Sequence, residues 1–404
     1  MKISLNDVLF AFSNGLDCVE AELLGATANH GKRVAYLCAV LGKCLGMSEE
    51  TRFDLAACAV LHDNALTEYL RGECNRTQFA EADPVEMALH CQIGEKNAQR
   101  LDFHSDVSGA ILYHHEHADG SGTFGKTASE TPLMAQLIHL ADALDVACNL
   151  GSYNKGTAQE VQAFLEANRA TLFAPELVTL FLEHFPAEKL QQMQGDRIDA
   201  LVRAELPECA REYSKQALMN IAKMFATIID YKSEVTGTHS LGIAEKALTM
   251  AAYYGFDDET TQKLYLAAAV HDVGKLVVSR ELLEKPEKLN AAEYQRIQAH
   301  AWHSYSILKQ IRGFEDITNW AALHHEKLNG TGYPFGKTAS ELGQKERLMA
   351  CLDVYQALME KRSYKDSMSH GEAMAILRDM AQGGELDPGI VADLDRVFGG
   401  TETA

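Results

Sequence analysis

Prolines are few, eight in 404 residues, and no two of the nine cysteines are spaced as a CxxC pair. The scarcity of proline excludes a collagenous or proline-rich chain. The missing CxxC removes the signal for a zinc ribbon or a dithiol redox pair. Scattered free thiols fit a reducing cytosol, so a cytoplasmic location is expected. No run of about 18 or more uncharged apolar residues occurs, and no membrane span is expected. The opening stretch MKISLNDVLFAFSNGLDC includes Asp7 and Asn14 and has no long apolar core, so no signal peptide is expected. Positive charge is also short: 37 Lys and Arg stand against 57 Asp and Glu, a net charge of −20. That balance argues against broad nucleic-acid or anionic-membrane surfaces, which need clustered cations. A small anionic ligand needs only a local basic pocket. With 47% hydrophobic and 23% charged residues the chain is ordinary globular material, sized for two or three domains at roughly 150 residues each.

What is present is a repeat. His30 and the His62-Asp63 pair recur as His239 and His271-Asp272, each first histidine lying 32 residues before the second. His90 precedes His114-His115 by 24 residues, and His300 precedes His324-His325 by the same 24. Asp142 in LADALD follows one pair and Asp353 in CLDVYQ the other. The offset between copies drifts only from 209 to 213. Both copies carry apolar residues at i, i+3, i+4 spacing, and strand-like alternation is sparse. Ser48 with Thr51 and Asp257 with Thr260 read as helix caps. The segments at 119–125 (DGSGTFG) and 329–336 (NGTGYPFG) read as loops. The fold class expected is all-α: two tandem helical domains, 1–190 and 231–404, joined by a helical connector over 191–230.

Imidazole and carboxylate in these numbers are metal ligands by type. His239, His271, Asp272, His300, His324, His325 and Asp353 exceed what one tetrahedral ion needs. They suit two ions that share a carboxylate, with water completing each shell. The donor set favours iron, manganese or zinc over calcium and magnesium. The plain alternative is a duplication that preserved packed histidines with no ligand role. Five histidines recurring at matched spacing weigh against it.

HDVGK (271–275), HHEKLNGTGYP (324–334), and Asp353 followed by KRSY (361–364) resemble the HD-GYP subclass of the HD metal-dependent phosphohydrolases. The likeness covers about 230–398. It implies an HD-type helical core and hydrolysis of a cyclic dinucleotide, cyclic di-GMP first and 3′,3′-cyclic GMP-AMP second, by a metal-activated hydroxide. It also implies an iron or manganese centre. By position it implies His239, His271, Asp272, His300, His324, His325 and Asp353 as metal ligands, with Asp272 bridging. Catalysis would rest on Asp272 and Lys275. Substrate contacts would come from Lys275, from Gly332, Tyr333 and Pro334 of the signature loop, and from Arg362 and Lys365. Without the motif, Arg362 and Lys365 read as a solvated surface pair. Members with three metals carry a glutamate four residues before the first histidine; here that position is Val235, with Glu234 one residue off, which favours two ions.

The first copy keeps a complete second candidate metal set: His30, His62, Asp63, His90, His114, His115 and Asp142. It lacks the rest. HDVGK becomes HDNAL, placing Leu66 where Lys275 stands, and GTGYPFG becomes GSGTFG. Gly151 and Asn154 stand in place of Arg362 and Lys365. A regulatory or structural first domain is expected, serving nucleotide sensing, dimerisation or metal-stabilised folding. The competing reading of the whole is a non-catalytic cyclic-dinucleotide-binding or scaffold protein; a mononucleotide hydrolase is disfavoured by the Gly-Tyr-Pro loop. Expected partners are the dinucleotide and a second copy in a homodimer, with neither nucleic acid nor membrane; other protein partners are left open by the sequence.

Overall fold

The computed structural model describes residues 1–66, 84–232, 238–360 and 367–399. Val235, Glu234, Arg362 and Lys365 lie outside these residues. The chain is all-α, and strands among the described residues are confined to Lys2–Ser4 and Ala210–Glu212. Two compact units divide between Arg211 and Glu212, the first holding Ser4–Arg211 and the second Glu212–Ala404 with Met1–Ile3. The stretch 191–230, expected as a connector, has residues in both units. Helix Arg197–Glu205 buries Ile198 and Val202 within the N-terminal unit, and helix Lys215–Tyr231 belongs to the C-terminal unit. Each stretch carries an apolar stripe, and each stripe is buried within its own unit.

The repeat in the sequence is a repeat of helices. His30–Cys44, Glu49–Val60, Pro84–Ala98, Leu133–Cys148, Thr157–Ala167 and Pro175–His184 form the N-terminal series. His239–Tyr254, Asp258–Val270, Ala291–Leu308, Gln344–Met359, His370–Gln382 and Pro388–Phe398 form the C-terminal one. The caps read from sequence hold. Ser48 Oγ accepts from the Thr51 N–H at 3.1 Å, and Asp257 Oδ1 accepts from the Thr260 N–H at 2.7 Å. Pro175 and Pro388 open the last helix of each series, where a missing N–H costs nothing. Helix Asp258–Val270 lies at the centre of its unit. Leu264 to Val270 are buried without a break, so its second half is covered all round.

The turn after that helix fixes the site. Residues Val273–Val277 form a 3₁₀ turn that packs on helix Ala291–Leu308. The Gly274 N–H donates to Ser304 Oγ at 2.9 Å, and that hydroxyl donates to the His271 carbonyl at 2.7 Å. A Cβ on Gly274 would lie 2.0 Å from the His300 carbonyl oxygen. In the N-terminal unit the small residue has changed sides: Ala65 replaces Gly274 and Gly94 replaces Ser304. There the Asn64 amide bridges the gap, donating to the Leu61 and Gly94 carbonyls at 2.7 and 3.1 Å. Both solutions hold the His-Asp pair against the third helix of the series.

Gly274→Ala is expected to cost about 1–3 kcal/mol through overpacking. Gly371 faces open space within helix His370–Gln382, so Gly371→Ala is expected to be neutral or to gain up to about 1 kcal/mol. Thermal unfolding of the two variants checks this, and equal midpoints would contradict the close-approach account.

Candidate functional site

The His-Asp and His-His pairs sit just beyond helix ends rather than inside helices. Helix Asp258–Val270 stops at His271, and helix Glu315–Ala322 stops one residue before His324. A helix C-terminus leaves carbonyls without intrahelical donors. The histidines use them: His271 Nδ1 bonds the Ala268 carbonyl at 2.8 Å, and His324 Nδ1 bonds the Ala321 carbonyl at 2.5 Å. His300, inside its helix, bonds the Ile297 carbonyl at 2.7 Å in the same way. A carbonyl only accepts, so Nδ1 carries the hydrogen and each Nε2 is the atom turned toward the centre. A hydrogen bond of this kind sets the tautomer and aim of a metal-binding histidine.

Those nitrogens converge on carboxylates. Asp353 Oδ1 lies 3.3 Å from His239 Nε2 and 3.8 Å from His271 Nε2. Asp272 spans the two sides: Oδ2 is 3.2 Å from His271 Nε2, and Oδ1 is 3.3 Å from His300 Nε2 and 3.8 Å from His324 Nε2. His300 and His324 place their Nε2 atoms 3.4 Å apart, and His325 Nδ1 is 3.6 Å from Asp353 Oδ2. The donors therefore form two groups, His239-His271-Asp353 and His300-His324-His325, with Asp272 between them. Donors bound to one ion at about 2.0–2.3 Å stand roughly 3–3.7 Å apart, and the separations here, 3.2 to 3.8 Å, lie within or just beyond that spacing. His271 Nε2 and Asp272 Oδ1 are buried with no hydrogen-bond partner. An unmet buried polar atom costs about 1–3 kcal/mol, a cost that a bound cation removes. The residues fit a pair of divalent ions.

Electrostatics agree. Burial works against every charge here, yet the charges of His271 and Lys275 hold Asp272 well below the usual carboxylate range. Asp353 is held down too, by its hydrogen bond to His239. Burial pushes His300 down to about 3 and lowers His324 and His325, so these three are neutral near pH 7. His239 differs: burial lowers it, but hydrogen bonds to Asp353 and Glu360 outweigh that and raise it to about 9. A metal must displace that proton to bind.

Lys275 Nζ donates to Asp272 Oδ2 at 2.5 Å from a side chain that is still 21% exposed, at the open edge of the centre. The signature loop borders the same edge. The Tyr333 ring packs 4.7 Å from that of His325, and Gly332 sits so close to the backbone that a Cβ would meet Lys327 N at 2.4 Å. The loop is held by a residue that sequence reasoning missed. Glu326 is buried and accepts from the Phe335 and Lys337 N–H groups at 2.7 and 2.8 Å. Its counterpart Glu116 does the same for Phe124 and Lys126. The signal was there, since a glutamate follows the paired histidines in both copies. Glu360, which orients His239, was also missed.

In the N-terminal unit all seven candidate residues come together. His30 Nε2 is 3.3 Å and His62 Nε2 3.8 Å from Asp142 Oδ1. Asp63 Oδ1 lies 3.4 Å from His90 Nε2 and 3.6 Å from His114 Nε2. The groups are His30-His62-Asp142 and His90-His114-His115, the latter joined by Cys91. Leu66, in the place of Lys275, is fully buried. Asp145 holds His30 Nδ1 at 2.7 Å and pairs with the buried Arg33.

Comparison with known proteins follows the same duplication. The family model for the HD domain matches residues 20–177 and again 223–390. The chain belongs to the HD domain family. It carries that domain twice, with the HD-GYP signature in the second copy only. It is 31% identical over 395 residues to the 3′3′-cGAMP-specific phosphodiesterase 1 of Vibrio cholerae serotype O1, covering 95% of this chain and 90% of that protein. It is 30% identical to phosphodiesterase 3 of the same name and organism, over 72% of this chain and 62% of that protein. A cyclic di-GMP phosphodiesterase of Pseudomonas aeruginosa is 31% identical, over 48% of this chain and 46% of that protein. The fold is shared with a crystal structure of a cyclic GMP-AMP-specific phosphodiesterase of V. cholerae. The TM-score is 0.68 at 22% identity, over 99% of this chain and 98% of that one. No helix among the described residues is long and apolar enough to cross a membrane.

Asp272→Ala is expected to lower the divalent-ion content of the C-terminal centre, because both donor groups share this carboxylate. Elemental analysis of the purified variant, with circular dichroism as a folding check, tests this. Unchanged stoichiometry would remove Asp272 from its place between the ions.

Proposed function

We propose that the chain is a cyclic dinucleotide phosphodiesterase whose active centre is the C-terminal unit, with the N-terminal unit structural or regulatory. The observation that carries the reading is Asp272 between two donor groups with Lys275 at the open edge. The residues that would hold the ions are His239, His271 and Asp353 on one side, His300, His324 and His325 on the other, and Asp272 between. Divalent ions bound there supply an acidified water and positive charge against phosphate oxygens. Iron or manganese suits a centre of imidazole and carboxylate with no thiolate.

The protein groups do the positioning. Lys275 offers the phosphate a mobile ammonium that it withdraws from Asp272. The Gly332-Tyr333-Pro334 loop, held by Glu326, forms one wall, and Gly332 lets the backbone approach closely. The Tyr333 phenol is kept protonated by burial and by the neighbouring Tyr294, Asp353 and Asp272, which raise it far above its ordinary value. It is a donor rather than an anion beside the phosphate. Arg362 and Lys365 are proposed to add cations against the second phosphate. Such local charge suffices for a dianionic ligand despite the chain's −20.

Between the two dinucleotides, we place 3′,3′-cyclic GMP-AMP ahead of cyclic di-GMP. The relative matching 95% of this chain, across both HD copies, is named for the former. The Pseudomonas relative named for cyclic di-GMP matches 48% of the chain, about the length of one copy. The test is competitive turnover of both by iron- and manganese-loaded protein under anaerobic, reducing conditions. Cleavage of cyclic GMP-AMP at least about tenfold faster in kcat/KM, roughly 1.4 kcal/mol, is expected. Preference for cyclic di-GMP would reverse the order, and cleavage of neither would replace the enzyme with a binding protein.

A further inference from the structure

The two centres are not copies of one another. Where the C-terminal unit has the buried Ala301 beside His300, the N-terminal unit has Cys91 beside His90. The Cys91 side chain is fully buried, with Sγ 3.7 Å from His90 Nε2 and 3.8 Å from the His114 ring at Nδ1. Its sulfur and one ligand nitrogen from each of His90, His114 and His115 all lie within 4.8 Å of one another. A thiolate bound at about 2.3 Å and an imidazole at about 2.0–2.1 Å on one tetrahedral ion stand roughly 3.5 Å apart. Sulfur stands 3.7 Å from His90 Nε2 and 3.9 Å from its Nδ1, the first distance being close to that spacing.

A second observation points to a ligand at the same place. His62 Nε2, Asp63 Oδ1, His115 Nε2 and Glu20 Oε2 are buried with no hydrogen-bond partner. Glu20 and Asp63 are 1% and 6% exposed, and Glu20 Oε2 reaches to 4.0 Å from His30 Nε2. Asp63 Oδ1 faces His90 and His114 directly. Of these, Asp63 Oδ1 and His115 Nε2 face the Cys91 group, while Glu20 Oε2 and His62 Nε2 lie with the His30-His62-Asp142 group. A buried carboxylate oxygen and an imidazole nitrogen without partners make a place for a cation beside Cys91.

We propose that the N-terminal unit holds a thiolate-ligated metal ion, bound by Cys91 with His90, His114, His115 and Asp63. This goes beyond the role given to that unit above and rests on its reading as a metal-holding domain. On binding, the thiol proton leaves to solvent and sulfur donates as thiolate, with no change of oxidation state. Thiolate turns the site toward zinc or ferrous iron and away from manganese. The two units of one chain then differ in their preference for manganese, although their histidine spacing is the same.

The test is cobalt(II) titration of the full-length apoprotein, read by absorption. A sulfur-to-cobalt charge-transfer band in the near ultraviolet is expected in the wild type and in Asp272→Ala. It should vanish in Cys91→Ser, whose N-terminal cobalt should bind at least about tenfold more weakly against a chelator. Cobalt lost on combined His62→Ala and Asp63→Ala counts the ions held by this unit. If those substitutions cost no cobalt, the metal-holding reading falls and the proposal with it. If cobalt is lost but the wild type shows no band, or the band persists in Cys91→Ser, the thiolate assignment alone is overturned. The wild-type spectrum decides the point even if Cys91→Ser fails to fold.

Discussion

Everything about the C-terminal site follows from how its imidazoles are tethered. His271 and His324 stand where helices run out of donors, so their Nδ1–H groups satisfy exposed backbone carbonyls, and His300 does the same from within its helix. Their Nε2 atoms are turned inward, onto Asp272 and Asp353. That arrangement leaves buried polar atoms unmet unless a cation joins them. The turn carrying Gly274, tied to Ser304 of helix Ala291–Leu308, holds the Asp272 carboxylate between the two donor groups, and the adjacent Lys275 is left at the open edge.

The N-terminal unit preserves the tether and gives up the edge. His62 and His114 bond the Ala59 and Ile111 carbonyls as their counterparts do, but Leu66 points into the core. A buried apolar side chain thus stands where the C-terminal unit has a partly exposed cation. Additional donors, Glu20 and Cys91, appear beside the shared ones.

Much of this was legible from residue types and intervals. The matched spacings named all fourteen histidines and aspartates that the structure gathers into two centres. Asp-Thr and Ser-Thr pairs gave the caps, because side-chain capping is local. What escaped depends on three dimensions. Cys91 adjoins a ligand in sequence, and neighbours on a helix usually face apart, so nothing marked it as sharing His90's surroundings. Glu20 comes from a helix that precedes the repeat's first histidine, outside any interval the two copies share. Glu326 and Glu360 act on a loop and on an imidazole rather than on a ligand, and only folded distances reveal that. Amphipathic helices in the 191–230 stretch likewise announce that they pack, but not against which unit.

The central claim is a division of labour, with hydrolysis in the C-terminal centre and none in the N-terminal one. Steady-state turnover of full-length Lys275→Ala and Asp63→Ala, set beside wild type with metal content measured on the same samples, tests it directly. Lys275→Ala should lose on the order of a hundredfold in turnover while keeping its metals, and Asp63→Ala should lose N-terminal metal yet stay within a few-fold of wild type. Turnover abolished in Asp63→Ala with the C-terminal metals intact, or unaffected in Lys275→Ala, would contradict the account.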